Sequence, residues 1–158
     1  MENTKKYPMV ELSSVVTVED VAPEERASVV SLHVDDDQTR FIASNSDSLK
    51  EADENEACVP LIIRAQGKAV GFAMYALDED DGNYWIYRLM IDARVQGRGY
   101  GSSALGSIIA RLRALPDCTC ILLGVKPENV QALRVYERAG FRLAGDILDG
   151  ELVMRLDF

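Results

Sequence analysis

A single histidine and three cysteines leave little material for a metal site or a disulfide framework. Cys58, Cys118 and Cys120 form an odd set with no scaffold spacing, so free thiols in a reducing cytoplasm are expected. Cys118-Thr119-Cys120 has no second cysteine pair and reads as two strand-entry residues facing the same way, with no metal between them. His33 falls on the apolar side of a predicted helix, where packing is its expected role. No apolar stretch approaches the roughly 18 residues of a membrane span, and no basic-then-apolar leader opens the chain, so neither a membrane partner nor a signal peptide is expected. Positive charge is also short: 17 Lys and Arg face 26 Asp and Glu, a net charge of −9. That balance argues against nucleic acid, whose phosphates it would repel, and suits a cationic substrate. The acidic run Asp78 to Asp81 reads as a solvated loop. Internal repeats and low-complexity linkers are missing, and 158 residues imply one domain, 1–158, with Met1 to Pro8 polar and loose.

What the chain does have is a glycine-rich loop, Arg94-Val-Gln96-Gly97-Arg98-Gly99-Tyr100-Gly101-Ser102, between an apolar run (Tyr84 to Ile91) and a helix-periodic stretch (Ala104 to Leu115). Glycine lets backbone approach a ligand closely at positive φ, and the free amides of a first helical turn attract anions. Arg94 and Arg98 add two cations, so the loop is expected to bind a phosphorylated ligand. It is not a Walker A loop, because no Gly-Lys-Ser/Thr follows. It is a poor dinucleotide fingerprint, because Ser102 stands at the third glycine position and no acidic ribose partner follows at the right distance. The loop alone leaves open a helix start that merely happens to be rich in glycine.

Periodicity orders the rest. Val10, Leu12, Val16 and Val18 share the parity of a strand. Pro23 opens a helix running to Val34, and Asp35 to Gln38 ends it. Ser48-x-x-Glu51 is the capping-box pattern of a second helix. Strands follow at Leu61 to Ala65 and Ala69 to Leu77, turned by Gln66-Gly67-Lys68, and at Tyr84 to Asp92. After the loop come a helix ended by Pro116, a buried strand Cys120 to Val125, and a helix holding Ala132, Leu133 and Tyr136. Strands Phe141 to Leu148 and Glu151 to Asp157 flank the hairpin signal Asp149-Gly150. The order is β-α-α-β-β-β-α-β-α-β-β: a mixed, mostly antiparallel sheet of about seven strands with helices on both faces, in the α/β (α+β) class.

Gln96-x-x-Gly99-x-Gly101 resembles the pyrophosphate loop of the GCN5-related N-acetyltransferases (GNAT), and the element order is that of their fold. Asn129-Val-Gln-Ala-Leu-Arg-Val-Tyr136-Glu-Arg-Ala-Gly140-Phe141 looks like the second half of the same cofactor site. The likeness covers essentially the whole chain and is most specific from Arg88 to Phe141. Leu32-His33-Val34, Phe41-Ile42-Ala43-Ser44-Asn45, Ser48-Leu49-x-x-Ala52, Val70 to Tyr75 and Arg88-x-x-Ile91-Asp92 are similar to bacterial spermine/spermidine acetyltransferases. Where many relatives carry an acidic residue before the arginine, this chain has Tyr87.

The resemblance implies acetyl-CoA as co-substrate and direct transfer of the acetyl group to a primary amine, a polyamine first of all. It implies that Leu89, Met90 and Ile91 offer backbone amides to the acetyl carbonyl. Gln96, Gly97, Arg98, Gly99, Tyr100, Gly101 and Ser102 would hold the pyrophosphate, and Asn129 the pantetheine arm or the next helix start. Tyr136, with a reference pKa near ~10, would give a proton to the departing sulfur, whose own reference is ~8.5. No acyl-enzyme cysteine is required. Asp35, Asp36, Asp37 and Glu51 are candidates for distal amines of the acceptor. Another small amine, an amino acid, an aminoglycoside or a protein N-terminus remains an alternative acceptor, and a non-catalytic acetyl-CoA sensor an alternative class. A homodimer is left open.

Overall fold

The structure is a computed structural model that describes residues 15–158. Val10, Leu12 and the Met1 to Pro8 segment lie outside the described residues. Seven strands form one sheet: β1 (Thr17–Asp20), β2 (Cys58–Ala65), β3 (Lys68–Leu77), β4 (Tyr84–Ile91), β5 (Cys120–Val125), β6 (Arg142–Leu148) and β7 (Glu151–Asp157). Their spatial order is β1-β2-β3-β4-β5-β7-β6. Every neighbouring pair is antiparallel except β4 and β5. The helices are α1 (Arg26–Val30), α2 (Asn45–Glu54), α3 (Tyr100–Arg113) and α4 (Val130–Arg138).

Alternation along the strands divides two cores between the two faces of the sheet. Leu61, Ile63, Ile86, Ile121 and Leu123 pack with Leu105, Ile108 and Leu112 of α3, and Tyr136 of α4 leans on the same cluster. Ile62, Phe72, Met74 and Met90 point the other way, against Val29 and Leu49 of α1 and α2. One face therefore carries α3 and α4, the other α1 and α2. At Gly71 on β3 a Cβ would strike the Met90 carbonyl and Ile91, so glycine is what lets β3 and β4 lie this close.

The element order matches expectation, and the hairpins do too. Asp149 and Gly150 have φ of 51° and 78°, both positive as a two-residue primed turn requires. Gln66 and Gly67 do the same (51° and 77°), and Lys68 is already paired with Ala65, so that turn is one residue shorter than read.

Three readings need correction. The first helix stops at Val30 rather than Val34. Buried Asn45 holds its end, its side-chain amide donating to the carbonyls of Val29 (2.9 Å) and Leu32 (3.1 Å), while the Val29 carbonyl also accepts from the Leu32 amide (3.1 Å) in a tightened last turn. His33 consequently lies beyond the helix and is exposed, with Nδ1 3.1 Å from the Ser31 carbonyl; it does not pack. The second helix is capped by Ser44, whose Oγ accepts from the Asp47 amide at 3.1 Å, so Ser48 and Glu51 are interior residues of α2 and serve another purpose.

Candidate active site

Strands β4 and β5 are paired only from Tyr84 to Ile86. At that point β4 carries a bulge: Ile86 faces Tyr75 and Arg88 faces Met74, leaving Tyr87 as an extra residue. A bulge bends its strand and increases the local twist. Beyond it β4 parts from β5, and a cleft of about 960 Å³ opens between them. Its floor is Arg88 to Ile91, its far wall is Gly124 to Lys126 with α4, and one end is the glycine loop.

The free edge of β4 supplies amides. The Asp92 amide donates to the Val70 carbonyl on β3 at 2.8 Å, and the Ile91 carbonyl accepts from Gln96 Nε2 at 2.9 Å on the opposite side. Backbone direction alternates along an antiparallel strand. The amides of Leu89 and Ile91 therefore face the cleft, while that of Met90 faces β3. Of the three residues expected to offer amides, two are placed to do so, and Met90 instead contributes a buried side chain 3.6 Å from Asn45 Nδ2.

The loop fits a pyrophosphate. Gly97 and Gly99 have φ of 78° and 82°, the left-handed region that side chains rarely adopt. The first backbone bond of α3 runs from the Ser103 amide to the Gly99 carbonyl, so the amides of Tyr100, Gly101 and Ser102 have no partner within the helix. Gln96, Gly97, Gly99, Tyr100, Gly101 and Ser102 all line the cleft. Gln96 holds the loop in place, donating also to Gln38 Oε1 at 3.0 Å.

The two expected cations behave differently. Arg94 is turned onto Asp92, with Nη2 2.6 Å from Oδ2, and lies off the cleft. This pairing holds the Asp92 carboxyl below its usual range. Arg98 sits exposed on the outside of the loop. Besides Arg88 in the floor, the cations that line the cleft are Arg40 and Lys126. The Arg40 guanidinium stacks 4.6 Å over Phe41, and Lys126 Nζ donates to the Arg40 carbonyl at 2.5 Å. Neither stands in a motif, which is why the sequence does not flag them.

Asn129 caps α4, its Oδ1 accepting from the Ala132 amide at 3.3 Å. Two turns on, Tyr136 is half-buried and faces the cleft, its ring edge-on to Phe141 at 5.9 Å. Burial, with a smaller contribution from the charge of Glu151, pushes its hydroxyl up to about 12. Tyr87 is pushed up to about 12 as well, by burial and then by Asp78, to which its hydroxyl donates at 3.5 Å. Both phenols are neutral near pH 7. Arg88 is tied down by Ser48 Oγ (3.1 Å), Glu51 Oε2 (2.9 Å) and the Tyr87 carbonyl (2.9 Å). Glu51 is thus committed to fixing the bulge against α2 and does not stand free for an acceptor. Of Asp35, Asp36 and Asp37, only Asp37 reaches the cleft. Among the described residues no cluster of His, Cys, Asp or Glu could hold a metal ion, and the three thiols are free and buried.

A sheet split at its centre, with outward amides on one lip and a neutral tyrosine on the other, has the geometry that acyl transfer from a thioester requires. Comparison with known proteins points the same way. The sequence model of the acetyltransferase (GNAT) family matches residues 26–141, and the chain belongs to this family. It is 36% identical over 146 residues to the spermine/spermidine N(1)-acetyltransferase of Bacillus subtilis (strain 168), covering 88% of this chain and 96% of that protein. The structure of an aminoglycoside acetyltransferase in complex with coenzyme A superposes with a TM-score of 0.77 at 21% identity, covering 90% of this chain and 94% of that one. Spermidine N-acetyltransferase from Vibrio cholerae, solved with CoA and spermine, gives 0.71 at 15% identity with coverages of 90% and 94%. At those identities the solved structures speak for the fold. The chain is an N-acetyltransferase, and acetyl-CoA is its acetyl donor.

Proposed function

We propose that this enzyme acetylates a primary amine of a polyamine such as spermidine or spermine, with the transfer made directly across the gap between β4 and β5. The observation that carries the reading is that gap, open between the face bearing α3 and α4 and the face bearing α1 and α2. Acetyl-CoA brings an activated thioester. Tyr100, Gly101 and Ser102 amides receive its pyrophosphate, with Arg40 and Lys126 adding positive charge. Leu89 and Ile91 amides polarise the acetyl carbonyl as negative charge develops there. Tyr136 faces the leaving sulfur. A hydroxyl at about 12 is a weaker acid than a thiol near ~8.5, so its contribution is a hydrogen bond to the growing thiolate charge rather than complete proton loss.

The acceptor class rests on the relative that is 36% identical across nearly the whole chain. It also rests on the acidic residues Asp37 and Glu151 in the cleft and on the net charge of −9. That charge disfavours nucleic acid and anionic membranes as partners. The free thiols fit the cytoplasm. A homodimer would find its nearest apolar surface on the edge strand β6, where Leu143 and Ile147 are exposed. The aminoglycoside enzyme with the same fold makes an aminoglycoside the second reading.

A thiol-release assay over spermidine, spermine, a monoamine of similar length and an aminoglycoside tests the acceptor. Spermidine or spermine should have the highest kcat/KM. The margin over the monoamine is modest, because exposed ion pairs contribute only ~0.2–1 kcal/mol each, and it shrinks with salt. Equal values for spermidine and the monoamine at low salt would dismiss the polyamine reading.

A further inference from the structure

The structure assigns to Glu151 the task of receiving the acceptor's ammonium group beside the reacting centre, a specificity-determining role that Gly124 makes sterically available. This deepens the amine-acetylation reading above and rests on it.

Two neighbours fix which side of the sheet Glu151 occupies. Leu123 and Val125 pack into the core beneath α3 and α4, so Gly124 between them faces the other way. On β7, Leu152 and Met154 join that same core, so Glu151, like Val153, also faces the other way. Glu151 thus stands on the face of the sheet that bears α1 and α2, opposite the helices that carry the glycine loop and Tyr136. A molecule held by the loop enters from one face, and an amine approaching from the other meets Glu151 at the lip of the gap.

The carboxylate lies over Gly124. A Cβ built on that glycine would come within 2.9 Å of Glu151 Oε2, so only glycine leaves the side chain where it is. Among the described residues no cation pairs with it. Lys126, the first residue after β5, spends its ammonium on the Arg40 carbonyl. Glu151 is half-buried, lines the cleft with Tyr136, and is near enough for its charge to act on that phenol. Tyr87, the bulge residue, closes the opposite lip on the same face as a neutral group. The negative charge that the position before Arg88 lacks is supplied from across the cleft.

The test compares wild type, Glu151→Gln, Glu151→Asp and Gly124→Ala, using the amine that wild type turns over best in the panel. Glu151→Gln should raise the amine KM by about tenfold or more while the acetyl-CoA KM and the melting temperature stay within twofold and about 2 °C. Glu151→Asp should recover part of the loss. Gly124→Ala, which keeps the charge and displaces it, should raise the amine KM in the same direction. An amine KM unchanged in Glu151→Gln overturns the assignment, as does an equal rise in both KM values. If wild type prefers an aminoglycoside over spermidine, the polyamine reading fails, and the KM split still decides the role of Glu151.

Discussion

Replacing Tyr136 with phenylalanine removes one oxygen from the cleft and almost nothing else. The ring keeps its edge-on contact with Phe141, and among the described residues no hydrogen bond to the hydroxyl is broken. No buried partner is orphaned, so the melting temperature should stay within about 2 °C of wild type. The loss falls on the transition state. A hydrogen bond to a charged group contributes ~1.5–3 kcal/mol, which at ~1.4 kcal/mol per decade is a fall in kcat of roughly 10- to 150-fold. A full general acid would cost ~10²–10⁴-fold. The pKa of about 12 also sets a pH signature. Below that value the hydroxyl is protonated, so it contributes its donor throughout the working range and loses it only as pH rises through about 12. The kcat profiles of wild type and Tyr136→Phe should therefore run parallel from about pH 7 to 10. Steady-state thiol release at saturating substrates, with calorimetric binding of acetyl-CoA alongside, measures all of this. Turnover within threefold of wild type would refute the role of Tyr136, and a drop beyond 10³ would refute the hydrogen-bond account in favour of complete proton transfer.

Two further perturbations probe the scaffold around that chemistry. Gly99→Asp places a carboxylate and a side chain at φ 82° in the loop, and should abolish acetyl-CoA binding by calorimetry while the thermal transition persists. Asn45→Ala leaves the Val29 and Leu32 carbonyls without their buried donor, and should cost about 1–3 kcal/mol, read as a fall in melting temperature of roughly 2–12 °C.

Where a residue's role depends on its immediate neighbours, the sequence discloses it. The positive-φ glycines of the loop, the Asn129 helix start with Tyr136 in the helix that follows, and the Asp149-Gly150 turn are matters of local conformation, and the structure has each of them. Apart from Arg94, the misread side chains share one cause, a partner distant in the chain. Ser48-x-x-Glu51 has the form of a capping box, yet both side chains answer to Arg88, dozens of residues away. The end of helix α1 is held by Asn45, which reaches back to it from the start of α2. Arg94 has the opposite problem: an acidic residue two positions away claims it before any phosphate can. Arg40 and Lys126 meet only because the segment before α2 crosses over to the end of β5. The bulge has no sequence signal at all, since Tyr87 suits a regular strand as well as an irregular one.

That bulge gives β4 one more residue than its partner strand needs. Skip Tyr87, and the faces already alternate: Ile86, Leu89 and Ile91 lie with the α3–α4 core, Met90 with the α1–α2 core. The surplus residue leaves Tyr87 and Arg88 side by side on the α1–α2 face, where Arg88 is held by Ser48 and Glu51. Deleting Tyr87 would restore a regular ladder without turning Leu89 or Ile91 over, and would remove the bend that parts β4 from β5. The width of the cleft is therefore encoded as one residue too many, a property that survives substitution at position 87 and is lost on deletion.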